Sequence, residues 1–460
     1  MHTAPSQPEA QVTHNRAPES SHLLKPSIGS SLPTVARGDG SYVWDSAGRR
    51  YLDGSSGAAV VSLGHAHPEV LRAMGEQAAR LTYAVRSQFT NEPAERLADR
   101  LVSLAPGDLD AVFLVNSGSE AIETALKLAL QHWSERGLPQ KRLAISRHGS
   151  YHGTTLGALS LSGHPVRRQH FEPLLHPFPT VPQPNRYRCQ ASASCPPCDL
   201  TCVDAFDTAI AAAGAGNVAA VVVEPVVGAT GGAIVPAPGY YQRLRQICDR
   251  HTVLLIADEV ITGVGRCGRL FAMEHWETLP DMVALGKGLG AGYVPLAAVL
   301  ARASVIEAIA KGSGLLTTGH TYSANPLAAA VGLTVLELTV RDGLVGRARL
   351  LGEALGSELR DLLETHPVLG DVRGLGLLWG LELVEDRAGR RPYPRERAIT
   401  ERFIATCQAS GLLLYPASDG FNDAVLVAPP LNITEDDLRL LVRLVDVSLG
   451  ALETELGVGR

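Results

Sequence analysis

Val253-Leu254-Leu255-Ile256-Ala257-Asp258-Glu259 is a short apolar run closed by two carboxylates, and its reading decides the fold. A continuous apolar stretch of this length reads as a strand buried on both faces, which is the habit of a parallel sheet. Polar, glycine-rich sequence follows (Thr262, Gly263, Gly265, Gly268). A second apolar run, Met282-Val283-Ala284-Leu285, then delivers Lys287 between Gly286 and Gly288. A carboxylate and a lysine thus stand at the ends of two consecutive strands. The flanking glycines let a bulky planar partner approach the lysine nitrogen. This pairing suits an electron-sink cofactor held on the lysine, with its ring nitrogen kept protonated by the aspartate.

Working outward, apolar runs at 111–115, 142–146, 218–223 and 297–300 alternate with helical periodicity over 69–81, 92–104, 121–133 and 240–251. The alternation predicts an α/β architecture. The turn Asn116-Ser117-Gly118-Ser119-Glu120 opens a helix, and free N–H groups with the positive dipole end make such a turn a phosphate cradle. Read as structure alone, it is an N-cap with Glu in the first turn. After the next strand comes Ser150-Tyr151-His152-Gly153, an aromatic that can lie flat on a ring. Glu224 ends the strand at 218–223, another carboxylate where open α/β sheets place ligands.

Ile256-Ala257-Asp258-Glu259-Val260-Ile261-Thr262-Gly263 followed by Gly286-Lys287-Gly288 resembles the signature of the class III (omega-type) aminotransferases. The resemblance covers roughly residues 35 to 455 and implies fold type I: a large domain with a mostly parallel mixed sheet flanked by helices, plus a smaller α+β domain. It implies pyridoxal 5'-phosphate bound as a Schiff base to Lys287, with Asp258 on the ring nitrogen. Gly118 and Ser119 would hold the phosphate, Tyr151 and Val260 would cover opposite ring faces, and His152 and Glu224 would lie close by. Thr321, in Gly319-His320-Thr321-Tyr322-Ser323-Ala324-Asn325-Pro326, would reach the phosphate of the neighbouring subunit, which implies a homodimer, or a tetramer built from it. The family usually has His where Asn325 stands.

The expected organisation is a tail at 1–31, an N-terminal segment of the small domain at 32–75, a cofactor-binding domain at 76–335 and a C-terminal small domain at 336–460. Residues 35–53 suggest a hairpin. His65 and His67 read as turn chemistry ahead of a helix starting near Pro68, since two histidines make a weak metal site. Residues 164–204 break the pattern and are expected on the surface near the site mouth. They carry Cys189, Cys195, Cys198 and Cys202 at C-x5-C-x2-C-x3-C spacing. Zinc, a disulfide and shielded free thiols all stay open there, with free thiols favoured and no metal assigned.

The same resemblance narrows the substrate. Relatives acting on acetylornithine, ornithine or 4-aminobutyrate typically have Gln where Ile261 stands. Several also carry an arginine where this chain has Leu426, and leucine cannot grip a carboxylate. Amine:pyruvate-type relatives often place Trp at the Ala59 position, so the pocket is expected to be roomier. Read by residue type alone, Arg86 could pair with a substrate carboxylate, although a surface arginine is the commoner case. The implied reaction is omega-amino transfer from a primary amine or ω-amino acid to a keto acid such as pyruvate or 2-oxoglutarate. The alternative on the same scaffold is a racemase, epimerase, aminomutase or amine lyase.

Composition sets outer bounds. The 460 residues are 45% hydrophobic and 19% charged, with mean hydropathy +0.07. A net charge of -6 gives nucleic acid no basic face. No run of about 18 apolar residues marks a membrane span. Seven cysteines without a basic-then-apolar leader point to reduced thiols in a cytoplasmic setting.

Overall fold

The computed structural model of the chain describes residues 22–28, 31–192 and 198–458. Most of the expected tail and Cys195 lie outside the described residues. Among these residues the central sheet has seven strands, in the order Leu109–Val115, Ala297–Arg302, Met282–Leu285, Leu254–Asp258, Val218–Val223, Leu143–Arg147, Thr180–Val181. Ala297–Arg302 runs antiparallel to both neighbours, and the other pairings are parallel. The sheet is therefore mixed but mostly parallel, with helices packed around it. This is the mostly parallel mixed sheet expected of the large domain.

Continuous apolar runs appear because both faces of this sheet are covered. Leu255, Ala257, Val283 and Leu285 join one core cluster, while Leu254, Ile256, Met282 and Ala284 join another. The period of two sends alternate residues to opposite layers. By that alternation Asp258 shares a face with Leu254 and Ile256, whose cluster also holds Ala121, Ile122 and Ala125 of the helix Gly118–Glu135.

A second sheet, Leu369–Leu375, Leu378–Leu383, Asp423–Val427 and Tyr415–Pro416, is antiparallel throughout. Its core cluster draws in helices Leu344–Thr365, Ile399–Ala409 and Glu435–Leu456. Near the N-terminus, Val35–Asp39, Tyr42–Asp45 and Arg50–Asp53 form a three-stranded meander, one strand more than a hairpin. Leu412–Leu413 pairs with Arg50–Asp53 in parallel, so the two ends of the chain share a sheet.

The segment 164–204 departs from its reading as a surface insertion. Thr180–Val181 extends the central sheet beside Leu143–Arg147, and the helix Thr201–Ala213 begins inside the segment and buries Cys202, Val203, Phe206 and Ile210. Two residues between prolines, only one of them apolar, are too few to show a period. Arg188 also reaches the fully buried Glu382 of the second sheet. The cysteine quartet cannot be followed as a set, because Cys195 lies outside the described residues. Cys189 and Cys198 are half-buried free thiols and Cys202 a buried one.

Candidate active site

The carboxyl ends of the parallel strands converge on a cavity of about 270 Å³. Its lining includes Gly118, Ser119, Tyr151, His152, Glu224, Asp258, Val260 and Lys287, residues up to 169 positions apart in sequence. Crossover connections carry every parallel strand back to the same edge, which is why open α/β sheets gather ligands there.

Lys287 follows the strand Met282–Leu285 and sits at φ +40, the left-handed region that non-glycine residues seldom enter. Its Nζ donates to the Ala58 carbonyl at 2.7 Å. Burial pushes its pKa down to about 8 from 10.5, against the upward pull of Asp258 and Glu224; Arg167 and Arg266 add to the fall. A lysine in this range carries a neutral, nucleophilic fraction near neutral pH.

Asp258 accepts from the Val260 N–H at 3.1 Å through Oδ1. Its Oδ2 lies 2.8 Å from His152 Nδ1. The His152 ring is fully enclosed, and its Nε2 has no protein partner. Its backbone N–H donates to Ser162 Oγ at 2.8 Å, so the imidazole is a fixed strut under the carboxylate. Glu224 is buried too, and burial raises its pKa. Its two oxygens accept from the N–H groups of Tyr151 and Gly228, both at 3.0 Å. Glu224 thereby pins the loop that carries the aromatic wall.

The cradle starts at Ser117, which caps the helix Gly118–Glu135 by accepting from Glu120 N–H. A Cβ on Gly118 would lie 2.8 Å from Val260 Cγ1. A Cβ on Gly153, at φ +133, would lie 2.5 Å from Ser119 Oγ. Both glycines let backbone close around the helix N-terminus. A depressed lysine, a braced aspartate, an aromatic and a valine lining one cavity, and an open helix N-terminus together fit pyridoxal phosphate. Lys287 would hold its carbonyl carbon, Asp258 its ring nitrogen, and Gly118 and Ser119 its phosphate.

The other expected site residues fall elsewhere. Glu259, beside Asp258, turns away: its oxygens accept from the Ala272 N–H at 2.6 Å and the Met273 N–H at 3.0 Å, and burial raises its pKa to about 7. Ala58, rather than Ala59, faces the cavity. Arg86 donates to the Thr318 carbonyl at 2.7 Å and stacks over Phe113, outside the cavity of its own chain. Thr321 is exposed in a turn and also lies outside it. Asn325 caps the helix Pro326–Arg341 by accepting from Ala328 N–H at 2.9 Å, a role asparagine fills well. His67 precedes the helix Pro68–Arg80, and no group of three or more His, Cys, Asp or Glu suited to a metal occurs among the described residues.

Ala58 and Val226 line the cavity without having been singled out by the sequence, and two further residues matter more. Tyr415 lines the cavity from the second sheet, and Arg167 lies over the Tyr151 ring, 4.8 Å from its centroid. Neither sits in a motif, and only tertiary packing brings them to the site.

The sequence profile described as aminotransferase class-III matches residues 27–447. An aminotransferase of Bacillus subtilis (strain 168), YodT, is 44% identical over 95% of this chain and 99% of its own length. An omega-aminotransferase of Caulobacter vibrioides is 37% identical over 88% of this chain and 90% of its own. An amine transaminase from an uncultivated Pseudomonas species, solved in its PLP-bound form, superposes with TM-score 0.89 at 34% identity over 94% of this chain and 99% of that one.

Proposed function

We propose, since the chain belongs to the class III aminotransferases and so is a pyridoxal-phosphate-dependent enzyme, that it moves an amino group from a primary amine or ω-amino acid to a keto acid such as pyruvate or 2-oxoglutarate. The carrying observation is that Lys287, its amine depressed by burial, and Asp258, braced by His152, share one cavity. Bound pyridoxal phosphate supplies a sink for the electron pair left when a substrate C–H bond is cleaved.

The protein's part is placement. Lys287 Nζ is the proton carrier between the substrate carbon and the carbon that receives the proton. Its low pKa keeps that proton exchangeable. Asp258 would fix a positive charge on the ring nitrogen, and His152 Nδ1 keeps the carboxylate aimed. Tyr151 and Val260, which line the same cavity, would enclose the ring and exclude water from it. Glu224 holds the Tyr151 loop in place.

Shared sites in a homodimer belong to the same proposal. Exposed apolar side chains gather where two segments meet: Leu81, Tyr83, Val85 and Phe89 on one, Leu315, Leu316 and Tyr322 on the other. Tyr83 and Tyr322 meet edge to face, and Asn325 donates to the Thr82 carbonyl. Thr321 and Arg86 lie on this same pair of segments. A second copy covering the patch would receive both, consistent with their place outside the cavity of their own chain. The setting proposed is cytoplasmic. No described helix is long and apolar enough to cross a membrane, and the described cysteines are free.

The test is an absorption spectrum of the cofactor-loaded enzyme, before and after a panel of amines. Bleaching of the near-visible band by an amine, and its return with a keto acid, is the expected result. Deuterium washout or inversion at the amine carbon without that exchange would move the reaction to the racemase or lyase class.

A further inference from the structure

Two consecutive arginines in the short helix Pro165–Arg168 are used differently. Arg168 is spent on the fold: its Nη1 donates to the carbonyls of Leu159, Ser160 and Ser162 at 2.9, 3.0 and 2.9 Å, and its Nε pairs with Glu172 at 2.8 Å. Arg167 has no carboxylate or carbonyl partner among the described residues. Its guanidinium rests on Tyr151, the wall of the catalytic cavity, and its charge reaches the Lys287 amine.

Arg167 also lines a second cavity, of about 730 Å³. Tyr393, Arg395 and Phe421 line it as well, and Arg395 forms no ion pair among the described residues. Of the nearby acids, Asp423 already accepts from Thr400 N–H and Oγ1 at 2.9 and 2.7 Å, and Glu401 is exposed at the edge. His164 Nε2, 3.2 Å from the Ser418 carbonyl, ties the helix to the loop after Tyr415. Tyr151 and Tyr415 line the catalytic cavity, Arg167 and Pro416 line the second, and Arg167 lies over Tyr151, so the two cavities adjoin at these residues.

The position where a carboxylate-gripping arginine was sought holds Leu426, whose side chain is buried in the core while its backbone pairs with Gly380 and Tyr415. We propose that the recognition is relocated: Arg167 anchors the distal carboxylate of an ω-amino acid donor whose amine end is at Lys287, with Arg395 adding positive field to the vestibule. A planar guanidinium matches a carboxylate fork, and stacking on Tyr151 holds it pre-oriented. The reach past Tyr151 favours a carboxylate separated from the amine by several carbons. The proposal deepens the aminotransferase reading and rests on it.

The test compares wild type, Arg167→Leu and Arg167→Lys, each loaded with cofactor. Donors are 5-aminopentanoate and the matched pentylamine, and calorimetry measures binding of pentanoate and of pentanamide. In Arg167→Leu, kcat/KM for 5-aminopentanoate and affinity for pentanoate are expected to fall about 10- to 100-fold, the size of a lost charge-assisted hydrogen bond. Loss of the Arg167 charge near Lys287 should change pentylamine turnover far less than 5-aminopentanoate turnover, pentanamide binding should stay within about twofold, the difference between the two donors should lie in KM, and Arg167→Lys should recover part of it. Equal losses for both donors would overturn the proposal in favour of a structural role beneath Tyr151. An unchanged pentanoate affinity would overturn it outright. Failure of the aminotransferase reading would look different: wild type would bind pentanoate in an Arg167-dependent way yet exchange no amino group with either donor. Should Arg167→Leu not fold, Arg167→Gln keeps the polar shape without the charge and carries the same comparison.

Discussion

At the residue scale the decisive group is Lys287. Its ordinary pKa of 10.5 falls to about 8 in the fold because burial penalises the ammonium. Between those values the unfolded chain keeps a proton that the folded chain has shed. Apoprotein stability should therefore rise with pH across that window. Cofactor capture needs the neutral amine, so its rate should climb roughly tenfold per pH unit below about 8 and level off above it. Stopped-flow absorbance across pH 6 to 10 reads this directly, and a profile still climbing beyond pH 9 would show an ordinary, solvated lysine. Asp258 makes a second case. Asp258→Asn keeps the shape and the contact to His152 but removes the charge that holds a proton on the ring nitrogen. Turnover should drop on the order of 10²- to 10³-fold, while the loaded enzyme keeps an absorbing cofactor. A loss of cofactor with no kcat effect in the loaded fraction would instead make Asp258 a binding residue.

At the element scale the helix Gly118–Glu135 sets how closely the cradle approaches the sheet. Gly118→Ala would place a methyl 2.8 Å from Val260 Cγ1, and that valine is fixed by the Asp258 turn. Overpacking of this kind costs about 1–3 kcal/mol. The helix N-terminus should back away, lowering the melting temperature by several degrees and weakening cofactor affinity, both measurable by calorimetry with and without added pyridoxal phosphate. An unchanged affinity would mean the phosphate is held elsewhere. This element also shows what sequence can and cannot carry. The strands at 218–223 and 282–285 and the helices at 92–104 and 240–251 were legible to the residue, because sheet burial on both faces and a single apolar helix stripe each leave a strong local period. That Asp258, Lys287 and Gly118 line one cavity was legible because each stands at or beside the end of such an element. Thr180–Val181 was not, since two residues hold no period. Arg167 and Tyr415 were invisible for a different reason: a lone arginine in a polar turn and a tyrosine 264 positions past Tyr151 acquire meaning only when the second sheet docks on the first.

At the scale of the whole molecule, one chain holds Lys287, Asp258 and the cradle in its own cavity but leaves Thr321 and Arg86 outside, beside exposed Phe89, Leu315 and Tyr322. If two copies exchange these segments, each site takes its lysine from one protomer and its threonine from the other. That geometry permits a test by complementation. Lys287→Ala removes the amine, and Thr321→Glu sets a carboxylate against the phosphate; each homodimer should be inactive. In a heterodimer of the two, one site carries both lesions and the other carries neither. Unfolding and refolding an equimolar mixture gives half heterodimers by random pairing, each with one intact site of two. About a quarter of wild-type activity should return, following from twofold symmetry alone. Activity that never returns, although the mixed dimer is seen by native mass spectrometry, would place every site residue within one protomer. In that case the exposed apolar patch would serve assembly without serving the chemistry.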